Sequence, residues 1–450
     1  MKIILITAFQ AVAVKNIFRT DVIKYLTKES DVRIICLVRH PERVAYYKKE
    51  LAHERVTYES YSESPHGICE TLFSFLKYHT IKTKTTVLRR RAHARDNKKY
   101  ILYWLSLMLT NLLHRAYARR LIRFLDYWCV RDANADAMLD RLQPDIVVLT
   151  HLFDDAEISI LRSAAKKGIK TVGFVNSWDK LTARAAIRLV PKKLLVFNQI
   201  VRDEAVMFGG IPEEKITIVG IPQYDEYFRN HSYKTREEFC TQLRLDPVKK
   251  IILFAPIGKT FSDFDLEMTD ALHEIINVKK LTSDSELLVR FQPNDFFDEK
   301  EIQKRSWLVY DRPGLRYGTI RGGDWDMTKK DLDHLRNTLH HSALVISYFS
   351  SIAIDAAIFD KPVININFEL KKPKTALTSP ILFYKTEHYS KAVAAGGIQL
   401  VQNLDELVSW VNKYLENPAH HKLKRERLVM MQCHFIDGHS SERLASAILN

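Results

Sequence analysis

Short apolar segments with the length of buried strands alternate with helical segments along most of the chain, and this alternation limits the fold more than any other feature. It begins with "MKIILITAF" at residues 1–9, a helical segment, and a second strand, "DVRIICLVR", at residues 31–39. Strand, helix and strand with short connections are typical of a parallel α/β sheet. The alternation stops at about residue 64 and resumes after residue 140. The sequence therefore predicts a parallel-sheet domain with an inserted helical segment.

A second series of strands and helices follows the polar connection at residues 230–250. The chain has 450 residues, of which 46% are hydrophobic, and this is enough to bury two separate cores. We predict an α/β protein with two Rossmann-like parallel-sheet domains and a cleft between them. The predicted domains are residues 1–225, with the insert at residues 64–140, and residues 226–450, whose last helix crosses back to the first domain.

The cysteines and the apolar segments indicate a cytoplasmic protein that does not span a membrane. Five cysteines are scattered along the chain without a CxxC pair, which argues against a disulfide framework or a zinc site. The first apolar segment is short and is followed by polar residues, as expected for a buried strand rather than a signal peptide. The longest apolar window, residues 100–117, falls short of the roughly 20 apolar residues that a bilayer requires.

Positive charge is concentrated in the predicted insert. Between Lys77 and Arg123, thirteen lysines and arginines stand against one acidic residue, Asp96, and the whole chain has a formal net charge of +14. An apolar and aromatic segment, "YILYWLSLMLTNLL", accompanies these charges. This combination favours docking on an anionic membrane surface through residues 77–128. Nucleic-acid binding, the least favoured, and packing within the protein or an oligomer are the other interpretations.

Polar residues follow three strands of the second domain at their carboxyl ends, where ligands bind in open α/β sheets. Gly258 lets the backbone approach a phosphate, and Lys259 supplies a positive charge. A helix that begins near Ser351 offers free N–H groups to an anion, and Asp355 follows one turn later. The predicted nucleotide-binding residues are Gly258, Lys259, Thr260, Gln292, Asp324, Trp325, Ser350, Ser351 and Asp355.

Each of these residues also has a purely structural interpretation. Serine is a preferred N-cap, and an aspartate in the first turn stabilises a helix through the macrodipole. In the loop "RGGDWDMT" at residues 321–328, the tryptophan suits a nucleobase, whereas its last residues are also suited to capping a helix. The recurrence of such residues at three strand ends of one domain favours the nucleotide site.

Four segments carry a resemblance to a known family: "NSWDKLT" at residues 176–182, residues 192–228, "SYFSSIAIDAAIFDKPVI" at residues 347–364, and "HFIDGHSSERLASAI" at residues 434–448. They resemble the bacterial CDP-glycerol glycerophosphotransferases and related sugar transferases of surface-polysaccharide synthesis, which have the GT-B fold. The resemblance implies that Ser350 and Ser351 contact the diphosphate of a nucleotide-activated donor. It also implies that Asp355 contacts the ribose.

The strand ends of the first domain carry the candidates for the acceptor side. An inverting transferase needs a base for the acceptor hydroxyl, and Asp179, Asp155 and His151 are the predicted catalytic residues. Ser177 and Trp178 are predicted to bind the acceptor, because an indole ring can stack on a sugar face. The aspartates at residues 154 and 155 also suit the N-terminus of the next helix, and Trp178 also suits a core.

Two departures from the family pattern bear on the activity. Lys180 stands where the family tends to have asparagine, and "RFQPND" at residues 290–295 lacks the histidine expected of the phosphotransferases. The resemblance then implies a metal-independent glycosyltransferase without a resident cofactor, peripheral to the inner face of the membrane. It would move a sugar from a nucleotide-sugar co-substrate to a cell-surface glycan or lipid-linked acceptor. The alternatives are a CDP-glycerol-type glycerophosphotransferase, a nucleotide-sugar 2-epimerase, and a non-catalytic basic scaffold that binds membrane or RNA.

Overall fold

The computed structural model describes residues 1–28, 31–229, 232–295, 299–318 and 325–450. These residues divide into two compact units. The first unit consists of Met1–Arg90, Lys99–Phe228 and Cys433–Asn450, and the second of Arg91–Lys98 and Arg229–Gln432. The last segment of the chain therefore belongs to the first unit.

A parallel sheet with buried apolar strands forms the centre of the first unit. Its strands are β1 (Lys2–Thr7), β2 (Val32–Val38), β3 (Val56–Ser60), β4 (Ile146–Leu149), β5 (Lys170–Phe174), β6 (Lys193–Val196) and β7 (Ile216–Ile218). Among the described residues the sheet has seven strands in the order β3-β2-β1-β4-β5-β6-β7. Ile4 of β1 lies opposite Ile34 of β2 and Ile146 of β4. The strand order reverses between β1 and β4, and such a reversal leaves a ligand-binding crevice at the carboxyl ends of the strands.

Helices connect and cover these strands. They are α1 (Ala11–Ile17), α2 (Val22–Leu26), α3 (Pro41–Glu50), α4 (Ile68–Leu76), α5 (Lys84–Asp96), α6 (Tyr100–Leu113), α7 (Ala116–Cys129), α8 (Ala133–Leu142), α9 (Asp155–Lys166), α10 (Lys180–Ala183), α11 (Gln199–Met207) and α12 (Asp225–Phe228). The chain between β3 and β4, which contains most of the predicted insert, forms helices α4 to α8.

Buried ion pairs fix the inserted helices to the first unit. Glu70 of α4 and Asp126 of α7 bind the guanidinium groups of Arg162 on α9 and of Arg188. The distance from Arg162 Nη2 to Asp126 Oδ1 is 2.7 Å, and both side chains are 1% exposed. Buried charges are tolerated when they are paired and hydrogen-bonded, as they are here. Helices α4 and α7 are therefore integral to the first unit.

The same inserted helices expose large apolar side chains at helical spacing. These residues are Ile68, Leu72 and Phe75 of α4, Ile101, Trp104, Leu105, Met108 and Leu112 of α6, and Tyr117, Leu121, Phe124, Leu125 and Trp128 of α7. Helix α7 packs against both α4 and α6. We call these three stripes the apolar face of the insert. A water-soluble monomer rarely leaves so large an apolar surface uncovered. No helix in the described part of the chain is both long enough and apolar enough to cross a bilayer.

A second parallel sheet forms the centre of the second unit. The strands of this unit are β8 (Lys250–Ala255), β9 (Ser285–Arg290), β10 (Val309–Asp311), β11 (Leu315–Arg316), β12 (Trp325–Asp326), β13 (Ser342–Ser347), β14 (Val363–Ile366) and β15 (Gln399–Val401). In the described residues, six of them pair in the order β10-β9-β8-β13-β14-β15, and β11 and β12 form a separate antiparallel pair. Two parallel α/β sheets confirm the predicted fold class.

The helices of the second unit alternate with its strands, and one more helix follows. They are α13 (Arg236–Leu243), α14 (Asp265–Asn277), α15 (Glu299–Gln303), α16 (Lys329–His341), α17 (Ile352–Ile358), α18 (Glu387–Ala394), α19 (Leu404–Glu416), α20 (Lys422–Cys433) and α21 (Ser440–Leu449). Helix α21 packs against α2 of the first unit. The backbone N–H groups of Ser440 and Ser441 donate to the buried carboxylate of Asp225 at 2.8 and 2.7 Å.

Candidate active site

Two carboxylates shape the loop that follows β8. Gly258 has a φ of +90°, and a Cβ atom added there would lie 2.6 Å from Cγ of Asp295, so only glycine fits. The N–H of Gly258 donates to Oδ2 of Asp265 (2.6 Å), and the N–H of Lys259 donates to Oδ2 of Asp295 (3.2 Å). The backbone groups expected to approach a phosphate are therefore bonded to carboxylates. The side chains of Lys259 and Thr260 are exposed and remain available to a ligand.

The carboxyl group of Asp265 is only partly ionised near neutral pH. Burial raises the pKa of Asp265 to about 7, and the nearby charge of Asp295 acts in the same direction. A neutral carboxyl group reduces the repulsion that a phosphate would meet beside this loop.

Two serines lie in the turn from β13 into α17, and within the described residues only one of them forms a hydrogen bond to the backbone through its hydroxyl group. Ser350 Oγ accepts a long hydrogen bond from the N–H of Ile352 (3.4 Å). Ser351 occupies the N-cap position without a side-chain cap bond and is exposed. Asp355, in the first turn of α17, is 7% exposed. Tyr389 O–H donates to the carbonyl of Tyr348 (3.2 Å), which holds the turn from behind. The capping interpretation thus accounts for Ser350 but not for Ser351.

The other predicted donor residues are spread over two further loops. Gln292 is half-buried after the end of β9. Trp325 lies in β12, is 7% exposed, and its Nε1 has no hydrogen-bond partner within the described residues. Asp324 lies outside the described residues.

In the first unit, His151 follows β4 and is 7% exposed. Its backbone N–H donates to Oε2 of Glu157 (2.7 Å), while Nδ1 of its imidazole ring is buried and has no hydrogen-bond partner in the described part of the chain. Burial, followed by the charges of Lys180 and Arg184, holds the pKa of His151 well below its usual value. Burial also raises the pKa of Glu157 to about 8. Both groups are therefore mostly uncharged at neutral pH.

Two more polar residues occupy the strand ends of the first unit. Lys180 is 5% exposed, its Nζ lies 3.4 Å from Oε1 of Gln10, and burial lowers the pKa of Lys180 to about 8. Asn176, after β5, is 2% exposed, and neither end of its amide has a hydrogen-bond partner among the described residues. Buried amides without partners are rare in folded proteins and indicate a place for water or a ligand. In the sequence, Lys180 stands out only as a departure from the family pattern, and Asn176 carries no signal of its own.

Asp155 forms ion pairs instead of facing a free space. Its Oδ1 lies 2.7 Å from Lys77 Nζ and 2.9 Å from Arg188 Nη1. Burial raises the pKa of Asp155, but the hydrogen bond and charge of Lys77 and the charge of Arg188 outweigh it, so that the pKa is lowered. A carboxylate held by two cations is a poor proton acceptor, and we assign Asp155 a structural role. Its neighbour Asp154 is the N-cap of α9 and binds Arg39 at 2.6 Å.

Asp179 and Ser177 lie together at the start of α10. The hydroxyl of Ser177 donates to Oδ1 of Asp179 (2.6 Å), which precedes the first residue of the helix. Trp178, which lies between these two residues in the sequence, is half-buried. The charge of Asp179 also acts on Arg89 of the inserted helices. Asp179 remains a predicted base.

The family comparison bears directly on the second unit. Residues 193–450 match the profile of the family described as CDP-Glycerol:Poly(glycerophosphate) glycerophosphotransferase. This segment is more than half of the chain and contains every candidate donor residue. The chain belongs to this family. The match to the glycerophosphotransferase family begins after His151, Asn176 and Asp179, so the acceptor candidates lie outside it. No protein of curated function has a significantly similar sequence.

Solved structures share the fold at low sequence identity. The UDP-GlcNAc 2-epimerase from Neisseria meningitidis, bound to UDP-GlcNAc, is 12% identical, with 100% of both chains covered and a TM-score of 0.56. A glycosyltransferase from Rickettsia africae is also 12% identical, with 100% of this chain and 99% of the glycosyltransferase covered and a TM-score of 0.52. The UDP-GlcNAc 2-epimerase from Methanocaldococcus jannaschii is 14% identical, with 97% of this chain and 100% of the epimerase covered and a TM-score of 0.52. The predicted GT-B fold is confirmed.

Proposed function

We propose that this family member transfers a sugar from a nucleotide-diphosphate donor to a cell-surface glycan or a lipid-linked acceptor. The family match supports the nucleotide-activated donor of this proposal, because it covers residues 229–432 of the second unit and the adjacent strands β8 and β13. The choice of a sugar over glycerol phosphate rests on the segment after β9. Lys259, Ser351 and Asp355 follow the carboxyl ends of β8 and β13. Open parallel sheets bind nucleotides at that edge.

The proposed roles follow from exposure and hydrogen bonding. Lys259 and Ser351, whose side chains are exposed, hold the diphosphate, and Asp355 binds the ribose. A lysine cation can stabilise the leaving diphosphate without a metal ion. The described residues contain no group of three histidine, cysteine or acidic side chains arranged as metal ligands. In the first unit, Asp179 takes the proton of the acceptor hydroxyl, and His151 and Trp178 bind the acceptor.

Transfer of glycerol phosphate from CDP-glycerol is the second candidate function, and the family match favours it. The segment after β9 favours sugar transfer instead, since "RFQPND" at residues 290–295 lacks the histidine that a phosphotransferase is expected to carry there. A 2-epimerase would use the same fold without a second substrate.

We also propose that the apolar face of the insert rests on the inner, anionic surface of a membrane. Exposed cations accompany its three stripes, such as Arg120 on α7 and Arg115 at the N-cap of the same helix. Anionic lipids attract such residues, and a helix that lies in the interface buries its apolar side in the acyl region. A transferase that acts on a lipid-linked acceptor gains access to its substrate at this surface.

A donor screen tests the function. We expect one nucleotide family among UDP, CDP and GDP compounds to raise the unfolding temperature of the protein, and Asp355→Asn to abolish the shift. Mass spectrometry of the product of the stabilising donor then separates hexose transfer, glycerol phosphate transfer and epimerisation. Absence of a shift with every nucleotide would contradict the donor site, and a glycerol phosphate product would replace the proposal by the second candidate.

A further inference from the structure

A cavity of about 320 Å³ lies in the first unit, beside the candidate acceptor residues. Arg89 and Arg90 of α5, Arg184 after α10, and His151 after β4 contribute to its lining. Tyr78, also in the lining, follows the end of α4. The volume of the cavity is in the range of small-molecule pockets. The lining contains three arginines and no carboxylate.

The guanidinium groups of this cavity are not neutralised by ion pairs with described residues. Arg89 Nη1 donates to the carbonyl of Ala183 (3.1 Å), and Arg90 Nη1 donates to the hydroxyl of Thr110 (2.5 Å). Arg184 is exposed and forms neither a hydrogen bond nor an ion pair within the described residues. Arginine forks bind phosphate oxygens through paired hydrogen bonds. An excess of unpaired guanidinium groups therefore favours a ligand with phosphate charge.

His151 provides a second observation that points to a ligand. His151 is one of the lining residues, is more than nine-tenths buried, and carries the unpartnered Nδ1 described above. A buried polar atom without a partner is costly unless a ligand or water completes it.

Hydrogen bonds connect the lining of the cavity to the inserted helices that carry the apolar face. Tyr78 is 50% exposed, and its carbonyl accepts a hydrogen bond from Arg90. Thr110, the other partner of Arg90, lies on α6, which carries one of the three apolar stripes. A phosphate site beside an apolar surface fits an amphiphile whose charged end enters the cavity while its chain stays on the surface.

We propose that this cavity binds the phosphate or diphosphate group of a lipid-linked acceptor, with Arg89, Arg90 and Arg184 as its cationic contacts. The assignment to the acceptor rests on the proposed function. It is supported by the position of the lining residues, all of which belong to the first unit, whereas the candidate donor residues belong to the second. Arg184 and Arg89 act as specificity residues that select an acceptor with a charged headgroup.

Binding of inorganic pyrophosphate, measured by isothermal titration calorimetry, tests the site without turnover. Loss of a charge-assisted hydrogen bond predicts that Arg184→Gln weakens this binding about 10-fold or more. Arg89→Lys, which keeps the charge but loses the fork, should weaken it less. Arg131→Gln is the matched control, because Arg131 is an exposed arginine of the loop between α7 and α8 and does not line the cavity. Equal affinity of Arg184→Gln and the control variant would overturn the site.

Vesicles distinguish the sources of the phosphate. We expect neutral vesicles that contain a prenyl diphosphate to compete with pyrophosphate, and vesicles that contain phosphatidylglycerol to compete far less. Equal competition by both vesicles would contradict the acceptor assignment and indicate a general phospholipid site. The nucleotide screen reports on the second unit, and so a failed donor site and a failed acceptor cavity give different results.

Discussion

Glu157 is a fully buried carboxyl group beside the candidate acceptor site. It is 0% exposed, and its Oε2 accepts a hydrogen bond from the backbone N–H of His151. Burial and the charge of Asp154 raise the pKa of Glu157 to about 8. A carboxyl group that keeps its proton in this way fixes the loop after β4 without adding negative charge next to the arginine-lined cavity.

We expect Glu157 to lower the stability of the protein as the pH rises. Between its ordinary pKa of 4.5 and its folded pKa of about 8, the folded state holds a proton that the unfolded chain has released. The stabilisation is complete below this range and is lost across it. The free energy of unfolding therefore falls with rising pH, by up to about 1.4 kcal/mol per pH unit from this group.

Urea unfolding across this pH range measures the effect. The stability of Glu157→Gln should fall less steeply than that of the natural chain, because glutamine does not titrate. Glu54, whose side chain is 81% exposed, provides the control, and Glu54→Gln should follow the natural chain. Parallel curves for all three proteins would show that Glu157 is charged in the folded state.

Ser351 and Thr235 both occupy N-cap positions of the second unit, yet we expect different effects when each is replaced by alanine. Thr235 forms a capping box with Glu238, so Thr235→Ala should cost about 1 kcal/mol of stability. Ser351 makes no cap bond, so Ser351→Ala should change stability by less than about 0.5 kcal/mol. Nucleotide affinity should show the reverse order, with Ser351→Ala weaker by about 10-fold.

Calorimetric unfolding and nucleotide titration on the same two variants check this contrast. A loss of stability in Ser351→Ala with unchanged nucleotide affinity would restore the simple capping interpretation of the serine.

Some of the candidate residues can be predicted from the sequence, and others can be identified only in the structure. Ser351 and Asp355 were identifiable because a strand end and a helix start can be read from local patterns. Asn176 and Glu157 stand out only when their burial and missing or unusual partners are known, and these depend on contacts distant in sequence. The same is true of Asp155, whose ion pairs with Lys77 and Arg188 require three separate segments to meet.

Among the helices and strands, α7 is the clearest example of an element held in place by buried ion pairs. Asp126 of α7 binds both Arg162 and Arg188, and its side chain is 1% exposed. We expect Asp126→Asn to destabilise the protein by about 3–5 kcal/mol, because it leaves buried guanidinium groups without their counter-charge. In hydrogen exchange, α4 and α7 should lose protection.

An exposed ion pair of the same unit is the control. Lys167 lies 2.6 Å from Asp140, whose side chain is 63% exposed, and such pairs contribute about 1 kcal/mol or less. Asp140→Asn should therefore have little effect on urea unfolding. Similar losses in both variants would mean that the Asp126 network is accessible to water.

The inserted helices show where a sequence-based prediction stops. Their basic and apolar composition is plain in the sequence, but the division of the charges is not. Arg119 and Arg123 donate to the backbone carbonyls of Phe208 and Ile187, whereas Arg89 and Arg90 line a cavity. Which face of a helix packs inward depends on distant partners, and a local charge count does not contain that information.

For the whole molecule, we expect binding to anionic vesicles through the apolar face of the insert. Trp104 and Trp128 are 65% and 61% exposed, and a charge at either position would oppose burial in the acyl region. The double substitution Trp104→Glu and Trp128→Glu should abolish flotation with vesicles that contain phosphatidylglycerol. Binding by the natural chain should weaken as salt rises, because salt screens the attraction of the cations.

A matched variant of the second unit controls this experiment. Leu423 of α20 is 79% exposed and lies outside the insert, so Leu423→Glu should float like the natural chain. Absence of flotation at low salt would contradict the membrane proposal. Loss of flotation in Leu423→Glu would move the binding surface away from the insert.

The overall architecture was the most predictable level. Two series of alternating strands and helices led to two parallel sheets, and the strand order within each sheet follows from crossovers that short sequence patterns do not specify. The antiparallel pair of β11 and β12 was not predicted, since two-residue strands leave no hydrophobic period to detect.

The C-terminal helix α21 has a consequence for how the protein is made. Ser440 and Ser441 bind Asp225, and Lys170 donates to the carbonyl of Ile448, so residues after Cys433 complete the first unit. A ribosome releases these residues only after it has synthesised almost all of the second unit. The first unit therefore lacks its last helix throughout translation, and its contacts with α21 form only after these residues leave the ribosome.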